Sequence, residues 1–305
     1  MRIRLAENFR AAFYAPFYAT LALGFYEKHG VSVELISSSA AGEGVAALLD
    51  GKADVTWGGP MRVMKAHDAD PASPLICFGE VVARDPFYLV AANRSDAASL
   101  DDLGRVRFAA VSEVPTPWLC LQHDLRERGR DPATIERAPA QSMAANFQAL
   151  CEERLDVVQL FEPYVAMALE RRVGRILYAA STRGPTVYTT FIATRSAMQR
   201  HRHAFACMLD AVAQMQEWLR AHRARELAEI TATYFADSER EILASSFERY
   251  RKGNIWARMP DVSREGFSRL GECLRSGGFL SRAPVYSDCI AQIFRTSADR
   301  QRSGS

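Results

Sequence analysis

The stretch that decides the fold is residues 1–60, which read MRIRLAENFRAAFYAPFYATLALGFYEKHGVSVELISSSAAGEGVAALLDGKADVTWGGP. Strand and helix patterns alternate along it, and Pro16 stands in the first turn of a predicted helix, where its missing N–H loses no partner. Such alternation predicts an α/β sheet, whose ligands bind beyond the carboxyl ends of the strands. We therefore expect the function to lie in the loops that follow these strands. The predicted strands are 2–6, 31–36 and 53–57, and the predicted helices are 15–26 and a second one, capped by the serines 37–39, that runs to residue 49.

The alternation continues through the first two thirds of the chain and then gives way to helices. The Asp-Val pattern Gly/Glu-x-x-Asp-Val, which leads into a predicted strand, occurs twice, at 51–55 and at 153–157. Two α/β lobes of similar plan would explain this repetition. Further predicted strands are 75–82, 87–92, 106–110, 156–160, 175–179 and 186–193, and the predicted helices of the last third are 201–222, 226–235, 238–251 and 263–276.

The composition favours a globular protein that binds something other than nucleic acid. Hydrophobic residues make up 48% of the 305 residues, and 38 basic against 36 acidic side chains leave a net charge of only +2. The six cysteines form no C-x-x-C pair and have no histidine at zinc-finger spacing, so no metal site and no cofactor are expected. No apolar run approaches the roughly 18 residues that a membrane span needs, so no membrane insertion is expected.

The location depends on what precedes the first strand. Met1 is followed directly by a predicted strand, with no apolar leader between them. Two readings stay open: a cytoplasmic protein that begins at Met1, or an exported protein whose leader was removed.

Several segments in series resemble one family. They include 15–19 (APFYA), 24–34 (GFYEKHGVSVE) and 51–55 (GKADV), followed much later by 254–256 (NIW) and 277–280 (GGFL). This series resembles the NMT1/THI5-like solute-binding proteins, which are the sulfonate, taurine, nitrate and thiamine-pyrimidine binding components of ABC importers. The likeness spans about residues 1–290.

The resemblance implies a type II periplasmic-binding-protein fold with a helical C-terminal third. Two α/β lobes, joined by two crossovers near 91–94 and 185–189, would close on a ligand. We expect lobe one to comprise residues 1–91 and 190–305, and lobe two residues 92–189.

Candidate ligand contacts of lobe one lie in the loops after its first two strands. Asn8 and Arg10 precede a helix whose N-terminus favours an anion, and Arg10 is suited to a bidentate contact. Phe13 is a candidate for stacking on a flat ligand, although core packing is an alternative. Ser38 and Ser39 are candidates as hydroxyl donors, although pure capping of the helix would explain them equally well.

The loop after the third strand supplies further candidates. Trp57 is a candidate wall of a pocket, and Gly58, Gly59 and Pro60 would let the backbone approach a ligand closely. Arg84 is a candidate as well, with an ion pair to its neighbour Asp85 as the favoured alternative.

Lobe two and the second crossover supply the last three candidates. Glu113 and Glu162 lie at strand ends and would suit an amine or amidine, whereas Arg10 would suit an anion; a zwitterion would use both kinds. For Glu162 the alternative is a salt bridge to an arginine of lobe one. Tyr188 is expected to cover the cleft from the second crossover.

These expectations lead to a function. We expect a monomeric binding protein that captures a small organic solute (a sulfonate, a pyrimidine or another planar or anionic compound) and delivers it to the membrane permease of an ABC importer. The alternatives are a cytoplasmic enzyme of thiamine-pyrimidine or aromatic sulfur metabolism, or a leaderless sensor on the same fold.

Catalysis is disfavoured, because Gly58 and Arg62 occupy the slots of the lysine and histidine of the related pyrimidine synthases. Residues 7–17 also lack the cysteine of the related desulfinases.

Overall fold

The computed structural model describes residues 1–38 and 40–293. Strands and helices alternate in its first two thirds, and its last third is helical, as the sequence predicts. The strands are β1 Arg2–Ala6, β2 Ser32–Ile36, β3 Val55–Gly58, β4 Leu75–Val82, β5 Tyr88–Ala92, β6 Phe108–Ala109, β7 Val157–Leu160, β8 Gly174–Ala179 and β9 Thr189–Thr194. The α-helices are α1 Ala15–Ala22, α2 Phe25–Lys28, α3 Glu43–Leu49, α4 Met61–Ala69, α5 Thr116–Glu127, α6 Met143–Cys151, α7 Tyr164–Glu170, α8 Arg195–Arg200, α9 Arg202–Ala221, α10 Ala224–Thr231, α11 Arg240–Lys252, α12 Arg264–Ser276 and α13 Tyr286–Cys289.

The strands form two separate sheets. The first has the order β2-β1-β3-β9-β4, with β1 parallel to both β2 and β3, and we call the half of the molecule built on it lobe one. The second has the order β6-β7-β5-β8, and we call its half lobe two. Parallel pairing brings the carboxyl ends of β1, β2 and β3 to one edge, so the loops that follow them lie side by side.

The repeated Asp-Val pattern corresponds to the same local structure in both lobes. In lobe one the carboxylate of Asp54 accepts hydrogen bonds from the backbone N–H and the guanidinium of Arg4, at 2.9–3.2 Å. In lobe two Asp156 accepts the same three bonds from Arg107, at 2.8–2.9 Å. The hydrogen bond from Arg107 lowers the pKa of Asp156 to about 2. Each aspartate thus ties the start of its own strand to the neighbouring parallel strand.

The crossovers between the sheets differ in part from the prediction. β5 pairs with β7 and β8 in the second sheet, so the first crossover is 83–87 and not 91–94. The second crossover is 180–188, which contains most of the predicted 185–189. The two segments run side by side, because the backbone N–H groups of Thr186 and Tyr188 donate to Ala83 and Val82, both at 2.8 Å.

Two predicted helices of lobe one begin or end differently because of glycines. The helix predicted at 15–26 is divided by Gly24, whose φ of 63° lies in the left-handed region. The next helix begins at Glu43, because Gly42 has a φ of 101° and interrupts the segment before it. The predicted capping by residues 37–39 is therefore wrong, since Ser38 lies five residues before this helix.

The C-terminal helices connect the two lobes. Ser263 caps α12 as predicted, because its hydroxyl accepts a hydrogen bond from the N–H of Gly266 at 3.0 Å. α12 then packs between α4 of lobe one and α5 of lobe two. In the described part of the chain, every helix is too short or too polar to span a bilayer.

Glu80 is a buried carboxyl group beneath α12, and it predicts a pH-dependent stability. Burial raises the pKa of Glu80 from 4.5 to about 7, although the N–H of Ser263 donates to its Oε2 at 2.8 Å. The folded state thus holds the proton more tightly than the unfolded chain, so the free energy of unfolding should fall as the pH rises through this range. We expect Glu80→Gln to remove this slope and to stabilise the protein at pH 8 by up to roughly 3 kcal/mol. Urea unfolding between pH 5 and pH 8 measures the effect, with the exposed Glu34→Gln as control; equal slopes for both variants would contradict it.

Candidate functional site

A cavity of about 510 Å³ lies where the strand-end loops of the two lobes face each other. We call it the outer cavity. Lobe one contributes Phe9 from the loop after β1 and residues 40–41 from the loop after β2. Lobe two contributes the segment after β6, the start of α6 and the residues after β7. Its main apolar walls are Phe9, Val111, Val114, Met143, Phe161 and Tyr164.

A smaller pocket of about 30 Å³ lies beside the crossovers, and we call it the inner pocket. Phe9 and Val114 line both spaces, so the two adjoin. Phe13, Phe87 and Tyr188 supply aromatic walls, with the ring of Phe13 centred 6.4 Å from Phe87 and 6.0 Å from Tyr188. The polar groups of the inner pocket are those of Asn8, Tyr14, Arg62 and Thr116.

Arg62 is the functional candidate that sequence reasoning missed. It is half-buried in the first turn of α4, and among the described residues no carboxylate lies within ion-pair distance of its guanidinium. Burial lowers the pKa of Arg62, opposed by the nearby hydroxyl of Tyr14. An arginine stays charged under these conditions, so the pocket wall carries a positive charge that the described side chains leave uncompensated. The sequence feature that could have identified Arg62 is its position, two residues after the Gly-Gly-Pro turn that ends β3.

Two helix starts add to this positive potential. α4 begins after Gly59 and Pro60, and α5 begins at Thr116, which lines the inner pocket. Neither helix has a side-chain cap or an acidic residue in its first turn. Unsatisfied N–H groups at a helix start carry partial positive charge and favour an anion.

The hydrogen-bonding groups of the inner pocket are held in place by lobe one. The side-chain amide of Asn8 donates to the hydroxyl of Tyr14 at 3.3 Å and accepts from the N–H of Gly42 at 2.9 Å. Burial raises the pKa of Tyr14 to about 12, so its phenol stays protonated at neutral pH. This wall therefore presents neutral polar groups beside one cationic group.

The structure brings together five of the thirteen predicted site residues. Those that line the two spaces are Asn8, Phe13, Gly59, Glu113 and Tyr188.

Arg10 and Ser38 lie near the cleft but contact the protein itself. Arg10 pairs with the buried carboxylate of Glu7 at 3.1 Å, and the hydroxyl of Tyr18 donates to the same carboxylate at 2.7 Å. The backbone N–H of Ser38 also donates to Glu7, at 3.2 Å. Arg10 is thus compensated within lobe one, unlike Arg62. Ser39 lies outside the described residues.

Trp57 lies in the core and does not reach either space. Its side chain has no exposed surface, its ring stacks on Phe17 at 4.6 Å, and Tyr18 meets it edge-on at 5.5 Å. Gly58 is buried in β3, and Pro60 is the residue immediately before α4. The proposal that Trp57 forms a pocket wall is therefore wrong, because the indole is fully buried against aromatic side chains of α1.

The crossovers contain an ion pair other than the predicted one. Arg84 donates to the backbone oxygen of Ser181 at 3.1 Å, so it links the two crossovers and does not line the cleft. Asp85 pairs with Arg183 at 3.0 Å instead of with Arg84. Arg183 also pairs with Asp124 of α5 at 2.5 Å.

The two predicted glutamates have different environments. Glu113 is exposed at the rim of the outer cavity, where its carboxylate accepts hydrogen bonds from the N–H groups of Met143 and Ser112 at 2.6 and 3.3 Å. Glu162 is fully buried and forms the salt bridge that was the alternative, to Arg249 of the C-terminal region at 2.6 Å. Its other oxygen accepts from the N–H of Ala166 at 2.8 Å and the hydroxyl of Ser246 at 3.1 Å.

Known proteins resemble this chain along nearly its whole length. Residues 12–225 match the family model described as NMT1/THI5 like. YtlA of Bacillus subtilis (strain 168), provisionally named a binding protein, is 22% identical over 291 residues, which cover 95% of this chain and 87% of YtlA. The periplasmic aliphatic sulphonate binding protein SsuA of Escherichia coli superposes with a TM-score of 0.78 at 15% identity, over 96% of this chain and 93% of SsuA.

The same fold also occurs in an enzyme. The desulfurization enzyme DSZB superposes with a TM-score of 0.73 at 13% identity, over 99% of this chain and 100% of that enzyme. The predicted periplasmic-binding-protein fold is thus confirmed, but the fold by itself serves both binding and catalysis.

Proposed function

This chain belongs to the NMT1/THI5-like family, and we propose that it is the solute-binding component of an ABC importer, which captures a small organic solute between its two lobes. The observation that carries the proposal is the outer cavity, whose walls come from the strand-end loops of both lobes. Its volume of about 510 Å³ suits a small organic molecule, since ligand sites commonly enclose ~300–1,000 Å³.

Capture would take place by a hinge motion of the lobes about the crossovers 83–87 and 180–188. Two backbone segments joined by hydrogen bonds, such as Ala180 N–H to Phe87 O at 3.0 Å, can bend together while each sheet stays rigid. The closed form would then present the bound solute to the membrane permease. We further propose that the protein acts outside the cytoplasmic membrane, as the periplasmic relatives in this fold do.

A side chain that fills the outer cavity should weaken binding of the solute. Ala144 lies in the first turn of α6 and lines the cavity, so Ala144→Trp would place an indole in the space that the solute needs. We expect the affinity for the solute to fall about 10- to 100-fold, since overpacking costs ~1–3 kcal/mol. Isothermal titration with the solute recovered from cell-purified protein measures this effect.

The matched control is Gln148→Trp, one turn further along α6, where the side chain is exposed and lies outside the cavity. Equal affinities of the two variants would contradict binding in the outer cavity. Recovery of the solute unchanged after long incubation distinguishes a binding protein from an enzyme on the same fold, because an enzyme would convert it.

A further inference from the structure

We propose that the solute is an organic carboxylate whose charged group pairs with Arg62 in the inner pocket and whose apolar body occupies the outer cavity. This inference rests on the proposed function, because it names the chemical class that the same cleft would capture.

The first argument is charge. Arg62 is the one arginine among the lining residues of the inner pocket, and no described carboxylate pairs with it. The uncapped starts of α4 and α5 face the same space and reinforce its positive potential. Glu113, the acidic residue in the lining of the outer cavity, is exposed and already accepts two backbone hydrogen bonds. An anion is therefore the ligand group that the inner pocket stabilises best.

The second argument is size. At ~10–15 Å³ for each water-sized atom, the inner pocket of about 30 Å³ has room for two such atoms. Two oxygen atoms in a plane are what a carboxylate presents, and the planar guanidinium of Arg62 can donate to both at once. A sulfonate carries three oxygens around a tetrahedral sulfur, and the planar fork of Arg62 can contact only two of them.

The third argument is the surface next to the inner pocket. The side chains that lead from it into the outer cavity are apolar: Phe9 and Val114 at the junction, then Val111, Met143 and Phe161. Such walls stabilise a hydrocarbon or aromatic body by removing its surface from water. The ligand thus has a charged end and an apolar end.

Four compounds with the same cyclohexane ring test the charge and the shape of the head group: cyclohexanecarboxylate, cyclohexanesulfonate, cyclohexanecarboxamide and cyclohexylmethylamine. We expect the carboxylate to bind more tightly than the other three in isothermal titrations.

Arg62→Gln should weaken carboxylate binding about 30-fold or more while leaving the affinity for the carboxamide unchanged, since hydrogen bonds between charged groups contribute most. Arg62→Lys should restore only part of the loss, because lysine lacks the planar fork. Arg10→Gln is the matched control and should have little effect, because Arg10 pairs with Glu7 outside both spaces.

Two kinds of result in these titrations would contradict the inference. Tighter binding of the amine, the carboxamide or the sulfonate, or an unchanged carboxylate affinity in Arg62→Gln, would overturn the inference and leave the proposed function standing. If none of the four binds, the molecule released from cell-purified protein decides: a carboxylate supports the inference and any other class overturns it. Absence of both a bound probe and a released molecule would contradict the proposed function itself.

Discussion

Arg183→Ala is expected to lower the free energy of unfolding by roughly 3–5 kcal/mol, because it leaves buried carboxylates without their cation. The guanidinium of Arg183 is only 5% exposed and pairs with Asp85 of the first crossover and Asp124 of α5. Tyr178 also donates to Asp124 at 2.8 Å, so the network joins both crossovers to lobe two. Its loss should loosen the connection on which the proposed hinge closure would depend.

The pH dependence distinguishes this charge effect from a simple loss of packing. Burial raises the pKa of Asp85 even beside Arg183, and the pKa should rise further once the arginine is gone. A carboxyl group whose pKa is raised by folding destabilises the folded state above that pKa, so the variant should recover stability as the pH falls. Urea unfolding at pH 5 and pH 8 tests this expectation. The control is Arg154→Ala, which breaks an exposed pair with Glu152 and should cost less than ~1 kcal/mol; equal losses in both variants would contradict the role of Arg183.

Arg249→Ala is expected to destabilise the protein by a similar amount, roughly 3–5 kcal/mol, because it leaves the fully buried Glu162 carboxylate without a counter-charge. The pair joins the end of β7 to α11, and α11 also packs against α10 and the residues just before α1. Glu162 therefore holds lobe two to the C-terminal helices.

A double mutant separates the pairing from other effects of the substitution. Glu162→Gln removes the buried charge, so Arg249→Ala should cost less in that background than in the wild type. Glu162→Gln alone should change stability while leaving solute affinity nearly unchanged, since the protein itself uses both carboxylate oxygens. Additive losses in the double mutant, or a large loss of affinity in Glu162→Gln, would contradict this assignment.

The architecture follows from sequence patterns to a large extent. The alternation of strands and helices, the repeated Asp-Val pattern and the helical last third all correspond to elements of the structure. The sequence does not show which of the two sheets contains β5, because its five residues are buried on both faces and its apolar run fits either sheet. Only its pairing with β7 and β8, more than 60 residues later in the chain, places it in lobe two.

The position of the candidate site at the strand ends was also predictable, but the partners of its charged groups were not. Asn8, Gly59 and Glu113 lie at the cleft because each follows a strand whose end faces it. Glu162 follows a strand too, yet its carboxylate meets Arg249, which is 87 residues away. Arg62 was missed because it lies on a helix, where a charged residue usually faces solvent. Long-range packing decides which arginine is paired with a carboxylate of the protein and which one has no such partner among the described residues.

The most direct test of solute capture is a crystal structure of protein purified from its own cells without refolding. We expect electron density for a small molecule in the outer cavity, between Phe9 of lobe one and Met143 of lobe two, with one end directed at Arg62. Titration of the same protein shows whether it is saturated with solute. If a crystal of saturated protein had only solvent in this cavity and the solute bound elsewhere, capture between the lobes would be contradicted.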